Sequence, residues 1–221
     1  MNISIATKRF SRGLTLIETL LAIALIVIFG MIMFSTPRTS KARAVRIACV
    51  SNLRQIGLAS RVWADDHSDK FPWDVAKTNG GMMEFTSGPN LWQHFQIMSN
   101  ELTTPTVLFC VAEASWTPST NFAFLNNSNI SYFINLNAEK TNSQVLLSGD
   151  RNITNGTLIE NGILKLTANH AAGWTDELHN RCGNILLADG SVLKVTRVSL
   201  QDAIAKGPVV TNRLLMPILT R

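Results

Sequence analysis

Between Leu14 and Phe34 the chain runs for 21 residues with no polar side chain except Thr15, Thr19 and one carboxylate, Glu18. A helix rises about 1.5 Å per residue, so this run spans roughly 31 Å, close to a hydrocarbon slab about 30 Å thick. It reads as a transmembrane helix over residues 14–36. A charged side chain at bilayer depth costs on the order of 2.5 to 3.5 kcal/mol, so Glu18 needs a partner. A secretory signal has a shorter apolar stretch of about 7 to 15 residues with its small-residue cleavage site after it. Here "STPRTSKAR" follows the run, and the small residue at a cleavage-like position, Gly13, precedes it. A cut at Gly13 removes residues 1–13 as a leader and leaves the apolar helix in place.

With 221 residues, 46% of them hydrophobic, the rest of the chain suffices for one core. The formal net charge is +5, of which Lys8, Arg9 and Arg12 in the acid-free segment 1–13 supply three, leaving +2. An excess that small does not argue for nucleic acid. Arg38, Lys41, Arg43, Arg46, Arg54 and Arg61 recur at near-helical spacing as a basic stripe, read as a solvated or acid-paired helix face. Because cations flank the apolar run on both sides, their count does not orient it. Cys49, Cys110 and Cys182 are far apart with no C-x-x-C pair, which argues against a zinc site. In an exported domain two of the three can bridge, and the sequence leaves the pairing open.

Beyond Pro37, where a kink is expected, Val45, Cys49, Leu53, Ile56, Ser60 and Trp63 follow one another at steps of three or four, the stripe of an amphipathic helix. It continues over residues 37–70 and stops near "DDHSDKFP". A single helix of about 50 residues results, half apolar throughout and half amphipathic. Over 71–221 the pattern breaks into short pieces. "GPNLWQHFQIMSNEL" places Leu91, Phe95, Met98 and Leu102 on one helical face; "TVLFCVA", "ISYFINLNA" and "QVLLSGD" read as strands. "TLIENGILKLT" and "GNILLADGSVLKV" carry Asn161-Gly162 and Asp189-Gly190 between apolar runs, both hairpin signals. The expectation is an α+β fold: the long N-terminal helix, transmembrane in its first half, packed through its second half on a small antiparallel sheet. Trp63, Trp73, Trp92, Trp116 and Trp174 are read as core and interface packing.

The stretch "GLTLIETLLAIALIVI" resembles the processing and anchoring segment of type IV prepilins and type II secretion pseudopilins. The resemblance implies a pilin-like fold. It also implies cleavage by a prepilin peptidase/N-methyltransferase between Gly13 and Leu14, methylation of the new Leu14 amine, and Glu18 as the glutamate of the fifth mature position, where it pairs with the amine of a neighbouring subunit. Leu14 stands where phenylalanine is commonest in that family. Two plainer readings of Glu18 stand beside this one: its side chain reaches a nearby interface, or it caps its own helix start. "CVSNLRQIGLASRVWADDHSDKFPW" resembles a segment common in one group of pilin-like proteins. "HNRCGNILLADG" resembles the H-x9-D-G element near the C-terminus of many prepilin-processed proteins, here His179, Asp189 and Gly190.

The resemblance further implies a non-enzymatic filament subunit of a type II secretion pseudopilus or type IV pilus. Its partners are other pilin-like subunits, membrane lipid, and an inner-membrane assembly platform with its ATPase. The location implied is the inner membrane, single-pass, with the N-terminus cytoplasmic and the folded domain periplasmic. No cofactor is expected; calcium is the one cation that related pseudopilins suggest, with Asp150, Asp176, Glu177 and Asp189 as candidate oxygens at spacings unlike an EF-hand. Two rivals remain: a minor pilin that binds a surface, a sugar or DNA, and a membrane-anchored periplasmic hydrolase using His179 and Asp189. The second lacks a recognisable nucleophile, and no G-x-S-x-G, H-E-x-x-H or P-loop is present.

Overall fold

The structure, a computed structural model, describes residues 15–34, 38–169 and 171–219. The leader, Gly13, Leu14 and Pro37 lie outside the described residues. Contacts divide the chain into two compact units, 1–41 and 42–221.

In the first unit, α1 covers Leu16–Phe34. Thr15 stands at its start, and its backbone N–H and hydroxyl both donate to Glu18 Oε2, at 2.8 and 2.9 Å. This T-x-x-E arrangement satisfies an N–H that the first turn would leave bare. The expected long N-terminal helix with a transmembrane half is not what forms. Helix α2, Arg38–Asp65, is a separate element, and among the described residues no helix is long and apolar enough to cross a membrane. The physical reason begins with Pro37, which lacks an N–H and disfavours helical backbone at the residue before it. The 19 residues of α1 then rise only about 28 Å, and Glu18 and Thr19 occupy part of that.

In the second unit the stripe read on α2 is the buried face: Cys49, Leu53, Ile56, Ser60 and Trp63 are all enclosed. They pack against one face of a six-stranded antiparallel sheet. Its strands are β1 (Tyr132–Asn135), β2 (Leu146–Asp150), β4 (Ile163–Thr167), β6 (Gly183–Leu187), β7 (Val192–Val195) and β8 (Thr211–Leu215), in the order β4-β8-β1-β2-β6-β7. A two-stranded sheet, β3 (Ile153–Thr154) with β5 (Gly173–Trp174), lies apart. Tyr132, Ile134, Leu147, Leu186 and Leu215 share the α2 core, whereas Phe133, Ile185, Leu187, Leu164 and Leu214 point the other way. That second face is closed by Leu200 and Ile204 of α5 (Arg197–Lys206), whose start is capped reciprocally by Thr196 and Ser199. The approach of α2 to the sheet is close: a Cβ at Gly57 would stand 2.9 Å from Leu186 Cδ1.

Several local expectations change. "TVLFCVA" is not a strand; Pro105–Leu108 forms a 3-10 turn, with Pro105 at its first position and the Thr104 hydroxyl accepting from the Thr106 N–H. The helix over "LWQHFQIMSNEL" splits into α3 (Leu91–Gln96) and α4 (Ser99–Leu102), though Leu91, Phe95, Met98 and Leu102 are buried together as predicted. At Asn161-Gly162 the turn forms, with φ of 50° and 79°, but only a single bridge, Glu160 to Ile163, precedes β4, which pairs with β8 instead. The β6–β7 hairpin forms as expected. Its loop places Ala188 and Asp189 in the middle of the turn closed by Gly190 N–H to Leu187 O, and Gly190 itself takes φ of 89°. Gly190 therefore fills the glycine-requiring bulge position, while Asp189 has ordinary backbone and accepts from the Ser191 N–H.

Candidate functional site

Five segments of the second unit converge at the start of β6. Helix α2 contributes Arg46 and Cys49, one turn apart; the segment after the Pro105–Leu108 turn contributes Cys110; β1 and β2 contribute Tyr132 and Asp150, which face each other across the sheet. The last segment is the turn His179-Asn180-Arg181-Cys182. Three consecutive non-glycine residues there, His179, Asn180 and Arg181, hold left-handed backbone with φ of 50°, 57° and 58°. Such residues cost of order 1–3 kcal/mol each at worst and persist only where surroundings over-determine them. Those surroundings are identifiable. Arg46 Nη2 donates to His179 O at 3.0 Å, and the Asn152 amide donates to the carbonyls of Thr175, Leu178 and Cys182.

This turn points the His179 ring inward. His179 Nε2 lies 3.3 Å from Cys110 Sγ and 3.5 Å from Asp150 Oδ2. Cys110 is joined to Cys49 in a disulfide, which settles the pairing that the sequence leaves open, and Cys182 is the unbridged cysteine. Cys182 Sγ lies 3.1 Å from Arg46 Nη2 and 3.0 Å from His179 O. Burial pushes the Asp150 carboxyl up to about 7, opposed by the backbone and side-chain N–H groups of Asn184 and by Arg46. Burial, with Arg46 adding to it, lowers His179 to about 4. The two groups are therefore not a charged pair at neutral pH: the imidazole is neutral and the carboxyl titrates beside it. Among the described residues, Asp150 Oδ1 and the side-chain oxygens of Asn152 and Asn184 are buried without a hydrogen-bond partner.

His179 and Asp189 are not brought together. The five residues of β6 separate them, about 17 Å of strand, so they do not form the base-and-orienter pair that a hydrolase would need. Instead α2 fastens both ends of the motif: Arg46 holds the His179 carbonyl, and Arg61 Nη1 donates to Ala188 O at 3.1 Å beside the Asp189-Gly190 turn. Part of the basic stripe is thus spent on the sheet. Arg43 and Arg54 line an open groove with Lys194 and Ile47.

Nor are the four candidate calcium oxygens one site. Asp150 is bound by Asn184, Asp176 by Arg181, Glu177 by Arg151, and Asp189 by its own turn. Among the described residues, the His, Cys, Asp and Glu side chains that group at metal-binding distances are Cys49, Cys110 and His179. The tryptophans pack as read: Trp63, Trp73 and Trp174 are buried, and Trp116 stacks at 4.0 Å on the Arg151 guanidinium, which also pairs with the buried Glu113.

Sequence reasoning missed Arg46 and Asp150 as neighbours of His179. Arg46 was visible as the residue one turn before Cys49 on the stripe; Asp150 was visible only as a carboxylate ending an apolar run. No family, no curated protein and no solved structure matches this chain.

Proposed function

We propose that the chain is a pilin-like structural subunit, cut by a prepilin peptidase between Gly13 and Leu14, methylated on Leu14, and assembled into a type II secretion pseudopilus or type IV pilus-like filament. The observation that carries this is the coincidence, within one short segment, of Gly13, Glu18 and an apolar helix that lacks cover. In α1, Leu16 is 79% and Ile26 70% exposed, far more apolar surface than a helix keeps in water. Neighbouring copies of α1 supply that cover in a filament. Glu18 is already satisfied by Thr15 in the single chain, so the role assigned to it is an exchange. Its carboxylate leaves a neutral N–H donor for the charged amine of an adjacent subunit, a stronger hydrogen bond.

A second support is the Cys49–Cys110 disulfide, which suits export to an oxidising compartment. Neither role needs a nucleotide site on this chain; an assembly platform and its ATPase do the work. Intact-mass measurement of protein recovered from cells is the test. The expected species begins at Leu14 and carries one additional methyl group; a chain that keeps residues 1–13 rules the reading out.

The groove of Arg43, Arg54 and Lys194 favours one variant of this reading, a minor subunit that binds an anionic polymer such as DNA. That variant requires an affinity that falls with salt and is lost when Arg43 and Arg54 are neutralised.

A further inference from the structure

We propose that, before Cys49 and Cys110 are oxidised, these two cysteines and His179 form a binding site for a thiophilic divalent cation, zinc being the ion that fits, so that metal and disulfide are alternative occupants of one pocket. Cys49 Sγ, Cys110 Sγ and His179 Nε2 lie within 4.8 Å of one another. Zinc binds sulfur at about 2.3 Å and imidazole nitrogen at about 2.0–2.1 Å, which sets neighbouring tetrahedral ligands about 3.5 Å apart. The 3.3 Å from Nε2 to Cys110 Sγ and the 3.5 Å from Nε2 to Asp150 Oδ2 match the edges of such a tetrahedron. The two sulfur atoms have to part, and the Asp150 carboxylate has to close on them.

Asp150, whose Oδ2 lies 3.5 Å from His179 Nε2 but which is not grouped with the two sulfurs, supplies the fourth position by swinging toward them. Its Oδ2 already accepts from the Asn184 backbone and side chain, whereas Oδ1 is buried and takes no hydrogen bond, so Oδ1 is the oxygen with capacity to spare once the carboxylate turns. The charges also close. Two thiolates and one carboxylate exceed a divalent cation by one negative charge, and the Arg46 guanidinium, 3.0 Å from His179 O, restores the balance. The left-handed turn from His179 to Arg181, held by Arg46 and Asn152, has a purpose in this arrangement: it fixes the imidazole toward the sulfurs. Spacing along the chain argued against zinc because its ligands come from α2, from the segment after a 3-10 turn and from the β6 approach; none of them are neighbours in sequence.

Binding to the reduced chain displaces the two thiol protons together with any proton held by the Asp150 carboxyl. Oxidation by the disulfide of a thiol–disulfide oxidoreductase then removes two electrons from the paired thiolates. The Cys49–Cys110 bond forms, the oxidant's disulfide is cleaved to two thiols with uptake of two protons, and the metal leaves.

The test uses full-length protein in detergent, reduced with a phosphine under anaerobic conditions and titrated with cobalt(II). We expect a single cobalt per chain, with intense thiolate-to-metal absorption in the near ultraviolet and the visible bands of a four-coordinate ion, both erased by zinc. Air-oxidised protein takes up none. His179→Ala and Asp150→Asn, which remove or weaken direct ligands, each reduce binding by at least the roughly 10- to 100-fold that loss of a supporting partner costs, whereas Cys182→Ser leaves it unchanged. A pale six-coordinate spectrum, equal affinity in His179→Ala, or equal loss in Cys182→Ser and Cys49→Ser overturns the proposal. A reduced chain that loses its near-ultraviolet dichroism and binds no cobalt overturns it as well, since the site needs the folded pocket.

Discussion

His94 and His179 are both enclosed by the second unit, and burial lowers both imidazoles to about 4, yet they sit in unlike surroundings. His94 is carried by the short helix α3, donates from Nε2 to Phe85 O at 3.0 Å, and rests edge-on to Trp73 at 6.3 Å. Its backbone is relaxed and its neighbours are apolar or carbonyl. His179 stands on strained backbone, against a sulfur atom, a buried carboxyl and a guanidinium's hydrogen bond. Burial is therefore common to packing and to a site. What separates the two is the reactivity of the neighbours and the strain spent on aiming the ring.

The largest expected effect comes from removing the disulfide on the His179 side. Cys49 and Cys110 are 61 residues apart, and cross-linking a loop of that length restricts the unfolded chain enough to stabilise the fold by about 4 kcal/mol. The double variant Cys49→Ala, Cys110→Ala is expected to lose about that much in urea unfolding of the native protein. A loss below roughly 1 kcal/mol would mean that Arg46 and Asn152 hold the turn unaided, and the contrast with the His94 region would then rest on strain alone.

The next effect lies on the His94 side and depends on pH. An unfolded histidine takes a proton below its ordinary value of 6.5, whereas folded His94 resists one until about 4. Its contribution is complete above pH 6.5 and is lost as pH falls from 6.5 to 4, amounting to roughly 3 kcal/mol. His179 adds little to this slope although its own shift is similar. Asp150, raised to about 7, takes up in the folded state the proton that His179 declines, and the two cancel over that window. His94→Gln should therefore flatten the acid limb of the stability curve by about 3 kcal/mol relative to wild type. If the gap between variant and wild type stays constant from pH 7 to pH 4, the two histidines are not distinguished by their neighbours as described.

What the sequence revealed and what it hid divide along the same line. The buried stripe of α2 and the Asp189-Gly190 hairpin were readable because each is local: a helical period in the first case, a turn residue in the second. Thr104-Pro105 was equally local, a cap followed by proline, yet the apolar run after it looked like a strand. The second core face was hidden because β8 and α5 are short and weakly patterned, and only their packing on Phe133, Ile185 and Leu187 makes them apolar in effect. The expected single N-terminal helix is instead two elements, α1 and α2, and the sequence between them carries Pro37, whose chemistry runs against the apolar and amphipathic trend on either side. The His179 cluster was beyond reach for a different reason. Its members are brought together by α2, by two strands and by a left-handed turn that no glycine announces.

That turn supplies the smallest and sharpest effect, because Gly190 and Arg181 occupy left-handed backbone at opposite ends of β6 with opposite residue choices. Gly190 has open space around the position of a Cβ, so Gly190→Ala costs only the conformational penalty, about 1 kcal/mol. Arg181→Gly should do the reverse and stabilise the protein by up to about 1 kcal/mol, since the glycine meets φ of 58° without a steric penalty. The ion pair given up, Arg181 to Asp176, is solvent-exposed and contributes little. Thermal unfolding of both variants reads the two signs directly. Opposite signs show that the His179 turn stores strain that the hairpin turn avoids. A destabilised Arg181→Gly would instead assign Arg181 a structural role and leave His179 and Asn180 to carry whatever strain the turn holds.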